Sequence, residues 1–337
     1  MPQHKLPESF TLANGEVLKN ASLYYEISGE VLPGKEIIWV CHAFTGSATV
    51  IDWWPTLFKE NGGFIDLNKH VLICANMLGS CYGSTGPLSI NPETGKAYEA
   101  DFPLLNNRDV VTSFIHLRKA LGISRIDYLI GGSLGGQQVL EWSVAEPEII
   151  AKQVIVASNA RHSAWGIAFN DLQRRAIELG GDNPEKVDEA LSVARGIAML
   201  SYRSYTDFEL KQSGRGADNH HKAVSYLKYQ GEKFNKRFNS HAYKILSLMM
   251  DAHDISANRE ATDREVLSKV KAETLCIGIN SDFLFPVQEQ KYISDQIPNA
   301  SLEVINSDKG HDAFLLEGNL ISELINKKFN KVVNEKI

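Results

Sequence analysis

Ile126-Asp127-Tyr128-Leu129-Ile130-Gly131-Gly132-Ser133-Leu134-Gly135-Gly136-Gln137 passes from an apolar run, through Gly-x-Ser-x-Gly, into an amphipathic stretch that ends before Pro147. The apolar run predicts a buried strand and the amphipathic stretch a helix over 137–145. A serine between them sits on a strained strand-to-helix turn. Glycines two before and two after it let the backbone pass close to its neighbours. The hydroxyl is thereby held out at the edge of a sheet, which makes Ser133 the expected nucleophile.

Outward from this turn, 153–157 and 301–306 read as strands, and the segments 37–41, 71–76 and 274–280 are short, mostly apolar runs. That is the pattern of strands covered on both faces, as in parallel sheets. Alternating residues around Asn14-Gly15 predict a hairpin, 10–13 against 22–27, as the leading edge of the sheet. Helices are expected near 53–59 and over 109–121. Residues 77–101, rich in Gly, Ser and Pro, read as a long loop leaving a strand end, a place where function concentrates. Between 161 and 270 the buried-strand pattern stops, and 171–179, 184–200, 221–234 and 241–250 read as helices. The expected fold is α/β: a mostly parallel central sheet with helices on both faces, formed by 1–160 and 271–337, with an all-helical lid inserted over 161–270.

A serine hydroxyl needs a base within hydrogen-bond reach and a third group to orient that base. In a sheet with this kind of turn they follow in chain order on loops after later strands. Asp282 follows the strand at 274–280, and His311 follows the strand at 301–306. The expected catalytic set is therefore Ser133, Asp282 and His311. His42, at the end of an early strand, is expected to shape its turn instead. The oxyanion of an acyl-transfer intermediate needs two backbone N–H donors, expected from Leu134, after the nucleophile, and Phe44, after that early strand.

The chain has 337 residues, is 43% hydrophobic and 23% charged, and carries a net charge of −6. Such a mildly acidic protein without a basic patch is not expected to bind nucleic acid or a membrane surface. Lys228 to Arg237 is interleaved with Glu232 and aromatic residues, and reads as a helix face. Cys41, Cys74, Cys81 and Cys276 are scattered, and the histidine spacing matches no metal pattern, so no metal is expected. The N-terminus lacks a signal-like apolar core, and no run is long enough to span a bilayer. A cytoplasmic enzyme is the expectation.

Several segments together resemble the homoserine O-acyltransferase family of the α/β-hydrolase fold. They include Cys41-His42-Ala43-Phe44-Thr45-Gly46, Cys81-Tyr82-Gly83-Ser84-Thr85-Gly86-Pro87, Gly131 to Gln138, Leu200-Ser201-Tyr202-Arg203-Ser204, Ser281-Asp282 and Gly310-His311-Asp312-Ala313-Phe314. The resemblance implies acyl transfer from acetyl-CoA, a cosubstrate rather than a resident cofactor, to the hydroxyl of L-homoserine, by a ping-pong route through a Ser133 acyl-enzyme in methionine biosynthesis. It also implies a homodimer built through the helical lid. Arg203 is then expected to bind the amino-acid carboxylate and Asp312 its ammonium, with Arg195 as the alternative arginine. Succinyl transfer, a serine acceptor and plain ester hydrolysis remain as other outcomes of the same serine chemistry.

Overall fold

The computed structural model describes residues 2–330 apart from 31, 33, 182 and 218. The ends of the expected core, Met1 and 331–337, lie outside the described residues. The strands are β1 (Gln3–Lys5), β2 (Ser9–Thr11), β3 (Val17–Lys19), β4 (Ser22–Ser28), β5 (Glu36–Cys41), β6 (His70–Ala75), β7 (Ile126–Gly132), β8 (Ile150–Val156), β9 (Glu273–Ile279) and β10 (Ala300–Ile305). The helices are α1 (Val50–Trp53), α2 (Asn107–Ala120), α3 (Leu134–Ala145), α4 (Ala164–Glu178), α5 (Pro184–Tyr202) and α6 (Tyr205–Gln212). They continue with α7 (Lys222–Asn235), α8 (Ser240–Asp251), α9 (Asp263–Leu267), α10 (Val287–Gln296), α11 (Ala313–Leu316) and α12 (Gly318–Phe329).

Eight strands form one sheet in the order β1-β4-β6-β5-β7-β8-β9-β10. From β6 to β10 every pairing is parallel, whereas β4 pairs antiparallel with both β1 and β6. The alternation inside β5 shows why its apolar run is continuous. Trp39 and Cys41 enter one core cluster, and Ile38 and Val40 enter the other, on the opposite face. The chain leaves β5 for β6 on one side and then crosses back from β6 to β7 on the other side of β5. Such a switch point opens a crevice at the carboxyl ends of the strands, where α/β proteins bind ligands.

The expected hairpin partner is corrected. The turn forms at Asn14-Gly15, with Gly15 at φ 90°, but β2 pairs with β3, not with 22–27, in a separate two-stranded sheet. Asn20, at φ 52°, bends the chain before β4, which joins the main sheet, and the edge strand is β1. The helix expected over 53–59 is also interrupted: α1 stops at Trp53, Pro55 follows, and only short 3₁₀ turns at Pro55–Leu57 and Lys59–Asn61 continue it. Between β8 and β9 the chain is helical, from α4 to α9, as the missing strand pattern implies. Ser163 caps α4, accepting from the Gly166 N–H at 3.1 Å, so this helix starts seven residues before the periodic stretch. Within the described residues no helix is long and apolar enough to cross a membrane.

Candidate active site

Ser133 sits between β7 and α3 at φ 55° and ψ −126°, a conformation that L-residues adopt only under constraint. The constraint comes from close packing. A Cβ on Gly135 would lie 2.1 Å from the Cys41 carbonyl oxygen of β5, and one on Gly131 would lie 2.3 Å from the Gly135 carbonyl oxygen. Only glycine permits these approaches. The turn is pinned further by the Ser133 N–H donating to Val156 O at 2.9 Å and the Ser158 hydroxyl donating to Ser133 O at 2.7 Å.

The chain ends of β9 and β10 bring the other two expected residues to this hydroxyl. His311 Nε2 is 2.9 Å from Ser133 Oγ, and His311 Nδ1 is 2.6 Å from Asp282 Oδ2. The second Asp282 oxygen accepts the Leu284 and Phe285 N–H groups, each at 2.9 Å, which fixes the carboxylate plane. With the carboxylate accepting from Nδ1–H, Nε2 is left as the acceptor for the serine proton. Phe285 stacks on the His311 ring at 4.9 Å and 21°, and Phe314 packs on it at 5.2 Å. All three members of this relay are buried. The arrangement can activate a hydroxyl, hold a covalent acyl group, and return the proton.

Phe44 and Leu134 lie where backbone donors are expected. Leu134 is the first residue of α3, whose first-turn N–H groups have no partner within the helix. Phe44, just beyond β5, lines a cavity with Ser133. His42 holds this loop in shape: its Nε2 accepts the Met77 N–H at 3.1 Å, and its Nδ1 lies 2.9 Å from Ala43 O. Burial pulls its pKa down to about 4, keeping the ring neutral. Arg237 donates to Thr45 O at 2.9 Å and to the Tyr82 hydroxyl at 2.6 Å, tying the loop to the 77–106 segment. Arg237 lies just past α7, not on its face.

The structure places Arg203 and Asp312 side by side. Arg203 Nε lies 3.1 Å from Asp312 Oδ2, out of line for a hydrogen bond, and Nη1 lies 3.6 Å from Asp207 Oδ2. Burial raises the Asp312 pKa, while Arg203 and Arg195 oppose the rise. Gly310, at φ 68°, packs so tightly on the end of α5 that a Cβ would stand 2.5 Å from Ser204 N. The inserted helices therefore press directly on the His311 loop. Asp312 lines a cavity of about 150 Å³ with Ser133, His311, Tyr202 and Arg195, whereas Arg203 does not line it. The Arg195 Nε and Nη1 atoms are buried without a hydrogen-bond partner among the described residues. Its guanidinium lies 4.8 Å from the Phe234 ring and 5.6 Å from the Tyr202 ring. Tyr202 carries no sequence signal separating it from a core aromatic; only its place beside His311, with ring centroids 5.8 Å apart, marks it.

The match to the alpha/beta hydrolase fold family extends over residues 36–318. The homoserine O-acetyltransferase of Cyclobacterium marinum is 44% identical over 316 residues, covering 92% of this chain and 90% of that protein. The homoserine O-acetyltransferase of Nostoc punctiforme is 38% identical, covering 98% and 96%. Among solved structures, homoserine O-acetyltransferase from Staphylococcus aureus superposes with a TM-score of 0.83 at 29% identity, covering 100% of this chain and 96% of that one. Esterase E22 superposes at 0.87 with 21% identity, covering 97% and 98%, a likeness of fold alone. With near-complete coverage of its relatives and an alpha/beta hydrolase match spanning the sheet, the chain belongs to the homoserine O-acetyltransferase family of the alpha/beta hydrolase fold.

Proposed function

We propose that the protein transfers an acetyl group from acetyl-CoA to the hydroxyl of L-homoserine. The observation that carries this reading beyond a generic serine hydrolase is that Asp312 and Arg195 line one cavity with Ser133 and His311, one anion and one cation matched to a zwitterion. Ser133 Oγ gives its proton to His311 Nε2 and attacks the thioester carbonyl. The oxyanion forms against the Phe44 and Leu134 N–H groups. As the C–S bond breaks, His311 returns the proton to the coenzyme A thiolate, leaving the acetyl group on Ser133. The homoserine hydroxyl then gives its proton to His311, attacks the acetyl carbonyl, and Ser133 leaves with the proton restored. Asp312 receives the substrate ammonium and Arg195, on the same cavity, its carboxylate in place of the expected Arg203, which pairs with Asp312 and Asp207 outside that cavity.

Water would divert the acyl-enzyme to hydrolysis, so the site must be covered. The helices inserted over 161–270 act as that lid, a role supported by the contact of α5 with the His311 loop. The same insertion carries the homodimer contact we propose, along α5 and α7, where Val193 and Leu200 are exposed above a groove. The cysteines are free, which suits the reducing cytoplasm we assign.

The test is thiol release from acetyl-CoA and from succinyl-CoA, with and without L-homoserine or L-serine, using Ser133→Ala as control. Release that depends on homoserine and acetyl-CoA, and falls on the order of 10⁴-fold or more in the variant, is the expected result. Equal release without an acceptor would make the protein a hydrolase and sink the transferase reading.

A further inference from the structure

Two cavities meet at Ser133, and they differ in chemistry. The larger, already described, contains Asp312, Arg195 and Arg237. The smaller has a volume of only about 10 Å³ and lies among Phe44, Tyr202, Met250, Leu284, Phe285 and the start of α4. Phe44, Ser133 and Tyr202 border both.

Among the described residues, no ionised group lines the smaller cavity. His162, which does, is 4% exposed, and burial followed by the nearby Arg174 draws its pKa down to about 4, so its ring is neutral at pH 7. Arg174 is spent elsewhere, on Asp251 at 2.7 Å and on the Ser247 hydroxyl at 3.1 Å. The amides at the cavity wall are also occupied: Asn170 donates to Asp251 Oδ1 at 2.7 Å, and Gln173 accepts from the Tyr243 hydroxyl at 2.5 Å. A carboxylate entering this space would lose its hydration and gain no cation. Neither is there room for a chain, since a cavity of this volume holds about one water-sized group.

We propose that this enclosed cavity is the acyl pocket, and that its size and lack of charge restrict the group carried on Ser133 to two carbons. An acetyl group bound through its carbonyl carbon has only a methyl left to place, and the cavity accepts one. Each further methylene must displace packed side chains, and a succinyl group must in addition bury its second carboxylate. The donor is thus selected by what fits behind Ser133 when the acyl-enzyme forms, while the charged cavity takes the acceptor. This inference rests on the transferase reading for its donor, though not for its geometry.

The experiment measures kcat/KM for p-nitrophenyl acetate, propionate and butyrate, alongside acetyl-, propionyl- and succinyl-CoA with L-homoserine. The nitrophenyl esters report acylation of Ser133 without coenzyme A or homoserine. A methylene misfit in a pocket discriminates by about 10–200-fold, so acetate should exceed butyrate by roughly 100-fold or more. Met250→Ala, which removes lining atoms that make no hydrogen bond, should narrow that ratio at least about tenfold by the same scale. Phe169, half-buried at the same wall, gives Phe169→Ala as a second enlargement should the Met250 variant fail to fold. Comparable rates with butyrate or succinyl-CoA in the wild type, or an unchanged ratio in a folded variant, would overturn the assignment. A sharp cut-off on the esters with no coenzyme A release would retain the pocket and remove the proposed function. Transfer from acetyl-CoA with no cut-off would do the reverse.

Discussion

Asp282→Asn tests the relay most directly, because the structure dictates how the new side chain must sit. Asp282 Oδ1 accepts two backbone N–H groups at 2.9 Å, so the asparagine carbonyl takes that place. Reversing the amide would set its NH₂ against two donors and strand both, at about 1–3 kcal/mol for each unsatisfied group. The NH₂ therefore faces His311 Nδ1, at the 2.6 Å contact the carboxylate held. A donor there demands an acceptor, and the imidazole shifts its proton to Nε2. Nε2 then points a hydrogen at Ser133 Oγ and cannot take the serine proton. Loss of the correct tautomer in an otherwise intact triad lowers kcat about 10⁴-fold, or ~5.5 kcal/mol of barrier at 1.36 kcal/mol per tenfold. Steady-state thiol release from acetyl-CoA with L-homoserine reads the effect, and thermal unfolding checks that the near-isosteric variant keeps its fold. A fall in kcat smaller than about tenfold would mean His311 does not depend on Asp282 for its tautomer, and the relay described above would be wrong.

Gly135→Ala should cost more than about 4 kcal/mol or prevent folding, because its Cβ would meet the Cys41 carbonyl oxygen at 2.1 Å; urea midpoints near wild type would contradict the packing of the turn. His253 is buried and its pKa is lowered to about 3 by burial and by His162. Its neutral form therefore favours the fold above the ordinary histidine pKa, and that stability is lost as pH falls toward 3. The advantage of wild type over His253→Gln should shrink below pH ~6.5 by about 1.4 kcal/mol per pH unit, and a pH-independent difference between their urea curves would refute it. Glu289 behaves oppositely: burial, opposed by a hydrogen bond from Asn159, lifts its pKa to about 7. Its neutral form contributes stability that is lost as pH rises from the ordinary carboxylate range through 7, so Glu289→Gln should gain in melting temperature relative to wild type between pH 5 and 8. Arg118, buried, and Glu146, largely buried, pair at 2.8 and 3.1 Å, and Glu146 also accepts the Trp142 indole N–H at 3.0 Å. Arg118→Met alone should destabilise by about 3–5 kcal/mol, and adding Glu146→Leu should recover much of it; equal stabilities of single and double variants would argue against an uncompensated buried charge.

The strands β5, β6 and β9 and the carboxyl halves of β7 and β8 were legible locally because a strand segment covered on both faces is apolar nearly throughout, whereas β10, at the sheet edge with Glu303 and only Ile305 buried, showed itself by its place in the chain. The nucleophile turn was legible because Gly131 and Gly135 leave the backbone approaches that a strained Ser133 requires. Chain order then reached Asp282 and His311, since each directly follows a readable strand. The hairpin partner was not legible. Alternation of period 2 runs through both 17–19 and 22–27, and only the bend at Asn20 assigns them to different sheets. Arg203 and Arg195 were both visible as cations near the site. Which one lines the cavity depends on Asp312 and Asp207 pairing with Arg203. The division of the space around Ser133 into a neutral recess and a charged one was likewise beyond local reading. Its walls come from the loop after β5, from three helices of the insertion and from the loops after β9 and β10, and His311 is 178 positions from the serine it touches. Periodicity and turn chemistry act over a few residues, so they select elements; charge pairing and enclosed volume arise between distant residues and exist only once the chain has folded.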